Sequence, residues 1–384
     1  MSENSNTARN GVPGSARSNL ALRLRLWRNR VIGNPKFRSR AMANPFTRRV
    51  AMRRARALFD LTAGFTYTQT LYAFVESGLC EALGRGSVTV EQASAATGNT
   101  VDHVELLLHA AEGINLVVRH SDRYALSDLG VSLTHEPGVL AMIRHHAIVY
   151  RDLASPLSLL SHETPTETAA FWQYAGGRGA EGTDVEGSAD YSRLMAVTQG
   201  FVADTILASY DFGKHQHLVD IGGGSGAFAI KVAHAHERMR ATVFDLPNVV
   251  PLAKERIERE GLAHRIDAVA GSFHGGVLPG GSDLYTLVRV RYDHDNEPAA
   301  QLLSALHTSM PSGATLLIAE PMADLRGAEA VGTYFAMYLA AMRSGRCRSP
   351  KQIGSMLRSA GFENVATVRS SNPLFTGLVR AARP

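Results

Sequence analysis

The sequence predicts an α/β protein: a doubly wound domain around a mainly parallel sheet, preceded by a helical domain that ends in a two-stranded wing. Three observations predict it. From residue 217 onward, short apolar runs alternate with helical stretches, the order that a parallel sheet with crossover helices imposes. The first run, residues 217–221, leads into Gly222-Gly223-Gly224-Ser225-Gly226, a Rossmann-like turn where backbone can approach a ligand closely. Upstream, residues 57–135 read as helix, helix, helix and two short strands about a polar turn, which is a winged-helix plan.

In chain order, residues 1–18 are rich in Ser, Asn and Gly and read as a disordered tail. Residues 19–56 are a basic arm. No acid lies between Asn4 and Phe59 but fourteen Lys and Arg do, so the remaining 26 basic residues face all 35 acids and the rest of the chain has a net charge of −9. Gly33-Asn34-Pro35 and Ala43-Asn44-Pro45 break the arm into short helices. Leu20, Leu24, Trp27 and Val31 share one helical face, with Leu22 and Leu26 off it. Such an arm suits nucleic acid or the anionic cytoplasmic face of a membrane, and Trp27 fits the headgroup layer; packing on a partner subunit is the plainer alternative.

Helical periodicity runs over 49–83, Thr89 caps a short helix, and residues 101–113 form another. Residues 116–118 and 124–126 then flank the turn Ser121-Asp122-Arg123. Residues 136–215 look helical, as a linker and acceptor-pocket region interrupted by a Gly-rich loop at 176–187. In the domain 216–384, strands are predicted at 217–221, 241–245, 265–270, 282–288 and 314–319, with an antiparallel pair at 364–369 and 375–380.

Composition narrows the function classes. A chain of 384 residues, 45% hydrophobic and 20% charged, resembles soluble globular proteins, which excludes wholesale disorder. The longest stretches free of Asp, Glu, Lys, Arg and His, 61–75 and 330–342, fall short of the ~18–20 apolar residues of a spanning helix. The first 20 residues lack the apolar core of an export signal, and Cys80 and Cys347 lie too far apart in sequence to suggest a disulfide framework or a metal-ligand pair. A cytoplasmic protein is expected, peripheral to the membrane where the arm reaches it.

The glycine turn is ambiguous as spelled. Gly222, Gly224 and Ala227 satisfy a dinucleotide fingerprint, whereas Asp220 with Gly222, Gly224 and Gly226 satisfies the acid-x-Gly-x-Gly-x-Gly of methyl-donor sites. Charge discriminates. Asp220 would repel a pyrophosphate but complements a ligand carrying an ammonium and a sulfonium. Asp245, at the end of the next predicted strand, stands where a ribose diol is gripped, or else caps a helix before Pro247.

The runs Val219-Asp220-Ile221-Gly222-Gly223-Gly224, Phe244-Asp245-Leu246-Pro247, Tyr292-Asp293-His294-Asp295, Ile318-Ala319-Glu320-Pro321 and Ser359-Ala360-Gly361-Phe362 resemble, in order, the motifs of S-adenosylmethionine-dependent small-molecule O-methyltransferases of the plant type. The likeness runs from about residue 57 to the end. The Tyr-Asp-His-Asp spelling, Arg346-Cys347-Arg348-Ser349-Pro350 and the arm ending Arg54-Ala55-Arg56-Ala57-Leu58-Phe59-Asp60 are similar to carotenoid O-methyltransferases of phototrophic bacteria, of the demethylspheroidene or hydroxyneurosporene type. The resemblance implies a homodimer, with the winged-helix domain used for dimerisation and not for DNA. It implies S-adenosyl-L-methionine as cofactor, held by Asp220, Gly222, Gly224, Asp245, Ser272, Phe273 and Arg289. Gly222 would meet the methionine part, Asp245 the ribose, Ser272 and Phe273 the adenine, and Arg289 the rim of that pocket. The family usually has Asp where Ser272 stands.

The same resemblance places the catalytic centre at Tyr292, Asp293, His294 and Glu320, without a metal. The family pattern is His-Asp-Trp-Asp with the His as base, so Tyr292 replaces the base. Of two acids that hold that His, one aligns with Glu320 and the other with Cys347. A tertiary aliphatic alcohol is far less acidic than a phenol, so alignment and late proton loss matter more than early deprotonation. Tyr292 would orient the hydroxyl, with Asp293 or His294 receiving the proton; the alternative for His294 is a surface helix start with Asp295 as cap. Tyr150, Phe171, Trp172, Tyr174, Met195, Phe201, Tyr334, Phe335, Met337, Tyr338 and Met342 fall in the implied acceptor region and suit a small, apolar, hydroxylated carotenoid substrate. Three rivals remain: a phenolic or polyketide acceptor, a winged-helix nucleic-acid-binding protein, and a fold relative that binds the donor without transferring methyl.

Overall fold

In the computed structural model, which describes residues 15–172, 199–273 and 277–384, the chain divides into two compact units at Ala73/Phe74. The first contains α1 (Ser15–Gly33), α2 (Pro35–Ala43) and most of α3 (Pro45–Glu76). The two Asn-Pro steps end the helices as their chemistry requires. Asn34 and Asn44 take extended backbone, and their side chains accept the N–H of Lys36 and Phe46, both at 2.9 Å. Helix α1 starts at Ser15, inside the stretch expected as tail, because nothing in residues 15–18 breaks a helix. The expected division at residue 57 is also displaced, since α3 runs straight through it. Leu20, Leu22, Leu24, Leu26 and Trp27 are all exposed, so no single apolar face is set apart in the lone chain.

The second unit begins with α4 (Leu79–Gly84), α5 (Val90–Thr97), α6 (Val101–Gly113) and the antiparallel hairpin β1 (Val117–His120) and β2 (Arg123–Leu126), the element order expected. Thr89 and Gln92 form a reciprocal capping box on α5, and Val88 bridges to Tyr124 of β2. Then follow α7 (Asp128–Thr134), α8 (Pro137–Leu153), α9 (Pro156–Ser161), α10 (Glu167–Trp172) and a helix α11 described over 199–207. Tyr174, Met195 and the Gly-rich loop lie outside the described residues.

Beyond them comes the sheet: β3 (His217–Ile221), β4 (Arg240–Asp245), β5 (Ile266–Ala270), β6 (Leu284–Val288), β7 (Thr315–Glu320), β8 (Glu363–Val368) and β9 (Gly377–Ala382). Its helices are α12 (Ala227–Ala235), α13 (Val250–Arg259), α14 (Asn296–Ser309), α15 (Glu329–Met342) and α16 (Pro350–Ser359). The strand order is β5-β4-β3-β6-β7-β9-β8, parallel through β7, with β9 antiparallel to both neighbours. Each predicted strand is present within two residues. Alternate residues of β3 feed opposite cores, Leu218 packing with Phe228 and Val243, and Val219 and Ile221 with Tyr285 and Leu302. Burial on both faces is why these strands read as continuous apolar runs. The chain winds one way after β3 and the other after β6. The switch point therefore lies between these neighbours, at whose carboxyl ends an α/β sheet binds ligand.

Candidate functional site

Two loops meet at that switch point. Gly222 has φ +69°, donates its N–H to Phe244 O at 2.8 Å, and lies so close to Val290 that a Cβ would stand 2.7 Å from Cγ2. Any side chain at 222 would push the loop after β3 away from the loop after β6. Beneath the turn, Asp220 is buried; Oδ1 accepts from Thr286 Oγ1 at 2.7 Å, while Oδ2 has no hydrogen-bond partner. Burial raises its pKa to about 7, against the Thr286 hydrogen bond and helped by Asp245. Such a carboxylate is stabilised by a nearby cation and destabilised by a phosphate.

Asp245 closes the cradle. Its Oδ2 accepts the N–H of Gly224 and its Oδ1 that of Leu246, both at 2.7 Å, and burial nevertheless holds its pKa up. It caps no helix, since α13 starts only at Val250. Each oxygen keeps a lone pair for a diol. Beyond β5, Gly271 passes against the ring of Phe244, where a Cβ would meet Cε2 at 2.5 Å, and Phe273 follows. The His294 ring stands edge-on to Phe273 with centroids 5.3 Å apart. The His294 ring thus packs beside Phe273, while Tyr292 is buried among Val149, Trp172 and Tyr338.

The segment after β6 is held from two sides. Arg289 takes left-handed backbone, φ +57°, a conformation costing a non-glycine residue about 1 kcal/mol, and it turns the chain sharply after the strand. A 3₁₀ turn, Arg291–Asp293, follows. Arg291 and Glu320 are both fully buried and paired, and the Tyr292 N–H also serves Glu320. Burial pushes Glu320 up while Arg291 pulls it down. From the other side, Arg346 N–H donates to Tyr292 O at 2.8 Å, and the Arg348 guanidinium donates to His294 O at 3.0 Å and Asn296 Oδ1 at 2.8 Å. Asp295 does stand at the helix cap position of α14, but its side chain makes no cap hydrogen bond.

Asp293 results from this arrangement. Its Oδ1 is sealed from solvent without a hydrogen-bond partner, and burial raises its pKa to about 8; Glu320 pushes the same way, while Arg289 and a Tyr292 hydrogen bond oppose. A carboxylate of that basicity can accept a proton near neutral pH. Cys347, where the resemblance expects a second acid, is a thiol raised to about 11 by burial, and Glu320 is paired with Arg291. Arg289 acts electrostatically on Asp293, Tyr334 and Tyr338, which puts its charge beside the turn Arg291–Asp293.

Tyr292 packs with Val149, Trp172, Tyr338, Leu339 and Met342, so much of the expected acceptor region does converge on it. Phe201 does not, pairing instead with Phe375 at 4.7 Å. Sequence reasoning missed Arg291, Thr286, Val290, Arg348, His145 and His146. Arg348, inside the run Arg346–Pro350, and Arg291, a charge at a strand exit, left a trace; the others left none.

This cradle, with no room for a side chain at Gly222, an orphaned carboxylate oxygen on Asp220 and an acid ending the next strand, fits S-adenosylmethionine, and fold and site together define a methyltransferase. Residues 150–363 match the O-methyltransferase domain family, and the chain belongs to it; the enzyme is an S-adenosylmethionine-dependent O-methyltransferase. It is 39% identical to the demethylspheroidene O-methyltransferase of Cereibacter sphaeroides over 92% of this chain and 94% of that one. To the enzyme of the same name from Rhodobacter capsulatus it is 37% identical, over 88% of this chain and 85% of that one. Among solved structures, human N-acetylserotonin methyltransferase in complex with SAM shares the fold, with a TM-score of 0.70 and 23% identity over 86% of this chain and 97% of that chain.

Proposed function

We propose that this enzyme methylates the hydroxyl of an acyclic, apolar carotenoid. The observation that carries the reading is the identity, nearly end to end, with two relatives named for demethylspheroidene. The site agrees in kind: apolar rings crowd Tyr292, and no histidine stands where a phenol-activating base is expected. S-adenosylmethionine, when bound, supplies a methyl group made electrophilic by its sulfonium. Asp220, Gly222, Gly224 and Asp245 would hold it, with Ser272, Phe273 and His294 at the adenine side. Tyr292 and Asp293 act on the acceptor. Tyr292, hydrogen-bonded to Asp293, orients the alcohol, and Asp293 takes up the hydroxyl proton as the new C–O bond forms. Arg291 and Glu320 fix the turn that carries both.

Mass spectrometry after incubation with labelled S-adenosylmethionine and a hydroxylated carotenoid in detergent is expected to find one labelled methyl per reacting hydroxyl. Labelling of phenols or polyketides alone would replace the carotenoid reading.

The same proposal gives the basic arm a location. No helix among the described residues is long and apolar enough to cross a membrane, yet a carotenoid acceptor dissolves in one. The arm presents Trp27, 64% exposed, among arginines, a composition suited to the cytoplasmic face of an anionic bilayer. Deleting residues 1–44, which leaves α3 whole, should sharply reduce cosedimentation with anionic liposomes at low salt. Equal binding of both forms would exclude the arm as an anchor. On α3 itself, Phe46, Leu61 and Phe65 are 92%, 82% and 70% exposed in the single chain, as a helix that packs on a second copy would be.

A further inference from the structure

Near Tyr292, α8, α10 and α15 bring two histidine–tyrosine pairs together. The consecutive residues His145 and His146 on α8 reach two tyrosines one turn apart on α15: His145 Nε2 lies 2.6 Å from Tyr338 Oη, and His146 Nε2 lies 2.7 Å from Tyr334 Oη. The proton arrangement at the first pair follows from donor chemistry. Trp172 Nε1–H, which can only donate, gives a hydrogen bond of 2.9 Å to Tyr338 Oη, so the Tyr338 hydrogen is available to His145 Nε2. Burial lowers both imidazole pKa values to about 4, so each histidine is neutral at physiological pH and able to accept.

The two tyrosine rings stack, with centroids 5.6 Å apart at 25°. Tyr334 also meets Phe335 edge-on at 4.9 Å, and Phe335 meets Tyr292 edge-on at 5.8 Å. Two edge contacts through the one ring of Phe335 therefore connect Tyr334 to the reacting segment. The pairs differ in one decisive respect. Tyr338 is 4% exposed and acts as an internal strut, whereas Tyr334 is 38% exposed, with a ring that a ligand can meet.

We propose that Tyr334 and His146 are positioning residues that select for a long conjugated acceptor: the Tyr334 ring offers a flat wall to the polyene next to its hydroxyl, and His146 fixes that ring by its hydrogen bond. A flat polarisable chain gains contact along such a wall, whereas a single small ring that reaches Tyr292 directly gains little. Without His146, the Tyr334 hydroxyl needs another partner and the ring can rotate off the chain's path. His146 acts through Tyr334, not on the reacting oxygen. The proposal rests on the carotenoid reading above.

The test compares His146→Ala, His146→Gln and Tyr334→Ala in a Trp27→Phe background, where Trp172 is the one tryptophan left of the two in the chain. Binding of a polyene alcohol is read from quenching of Trp172 fluorescence, and kcat and KM are measured for that alcohol and for a short apolar alcohol. Tyr334→Ala and His146→Ala should weaken polyene binding about tenfold, mainly through KM, and lower the long-to-short ratio of kcat/KM by a similar factor. His146→Gln, which keeps an acceptor, should recover most of the loss. Wild-type polyene affinity in both alanine variants, or equal losses for long and short acceptors, would overturn the wall. A parent enzyme that methylates no polyene alcohol would overturn the carotenoid reading and the wall with it.

Discussion

Replacing Asp293 by Asn is expected to slow methyl transfer by ~10²–10⁴-fold, the span typical of a lost general base, while leaving donor affinity near wild type. Asp293 has an Oδ1 sealed from solvent without a partner and a pKa raised to about 8 by burial. The ionised form is the acceptor of the proton, so single-turnover rates in the parent enzyme should rise with pH and level off above about 8. The Asn variant should be flat across the same range. Tyr292→Phe, which removes the hydroxyl but keeps the buried ring, should lower the rate by a smaller factor and move the pH profile upward, because the lost hydrogen bond held the Asp293 pKa down. His294→Ala should act on donor affinity, since its ring faces Phe273. A normal rate in Asp293→Asn, or a pH profile that survives it, would place proton transfer elsewhere.

Stability supplies an independent check. A carboxyl whose folded pKa is raised contributes stability at low pH that is lost as pH climbs from its ordinary value through the raised one. Relative to the Asp293→Asn variant, the parent enzyme should therefore lose stability progressively between about pH 4 and pH 8. The difference should be constant above that window.

Asp245→Ala should weaken donor binding by at least tenfold, measured calorimetrically. A hydrogen bond to a charged group contributes about 1.5–3 kcal/mol, a factor of roughly 10 to 150 in affinity. The structure adds a second effect. Both carboxylate oxygens already hold backbone N–H groups of the loop, from Gly224 and Leu246, so alanine also releases the glycine turn. Asp245→Asn separates the two effects: its side-chain oxygen can keep one N–H bond, while the paired charge for a diol is gone. Unchanged affinity in a folded Asp245→Asn would remove the ribose assignment.

Much of this enzyme was readable in its residues because the signals are local. Strand runs buried on both faces, the Gly222–Gly226 turn and the Thr89 cap depend on neighbours within a few positions. That Asp220 lies beneath the glycine turn and that Asp245 ends the next strand could be read from place in the motif alone. The directions of Tyr292, Asp293 and His294 could not, because the three are adjacent, and which of them faces inward depends on the left-handed turn at Arg289 and on Arg346 and Arg348 gripping the far side.

The one-dimensional pattern of residues, then, determined the sheet order's raw material, the donor cradle and the absence of a histidine at 292. Tertiary structure alone decided that Glu320 is matched by Arg291, 29 residues away, that Asp293 Oδ1 is sealed without a hydrogen-bond partner, and that His145 and His146 meet Tyr338 and Tyr334, 193 and 188 residues away. The reason is physical. Burial and Coulomb attraction act through distances set by the packed fold, and sequence separation carries almost no information about either.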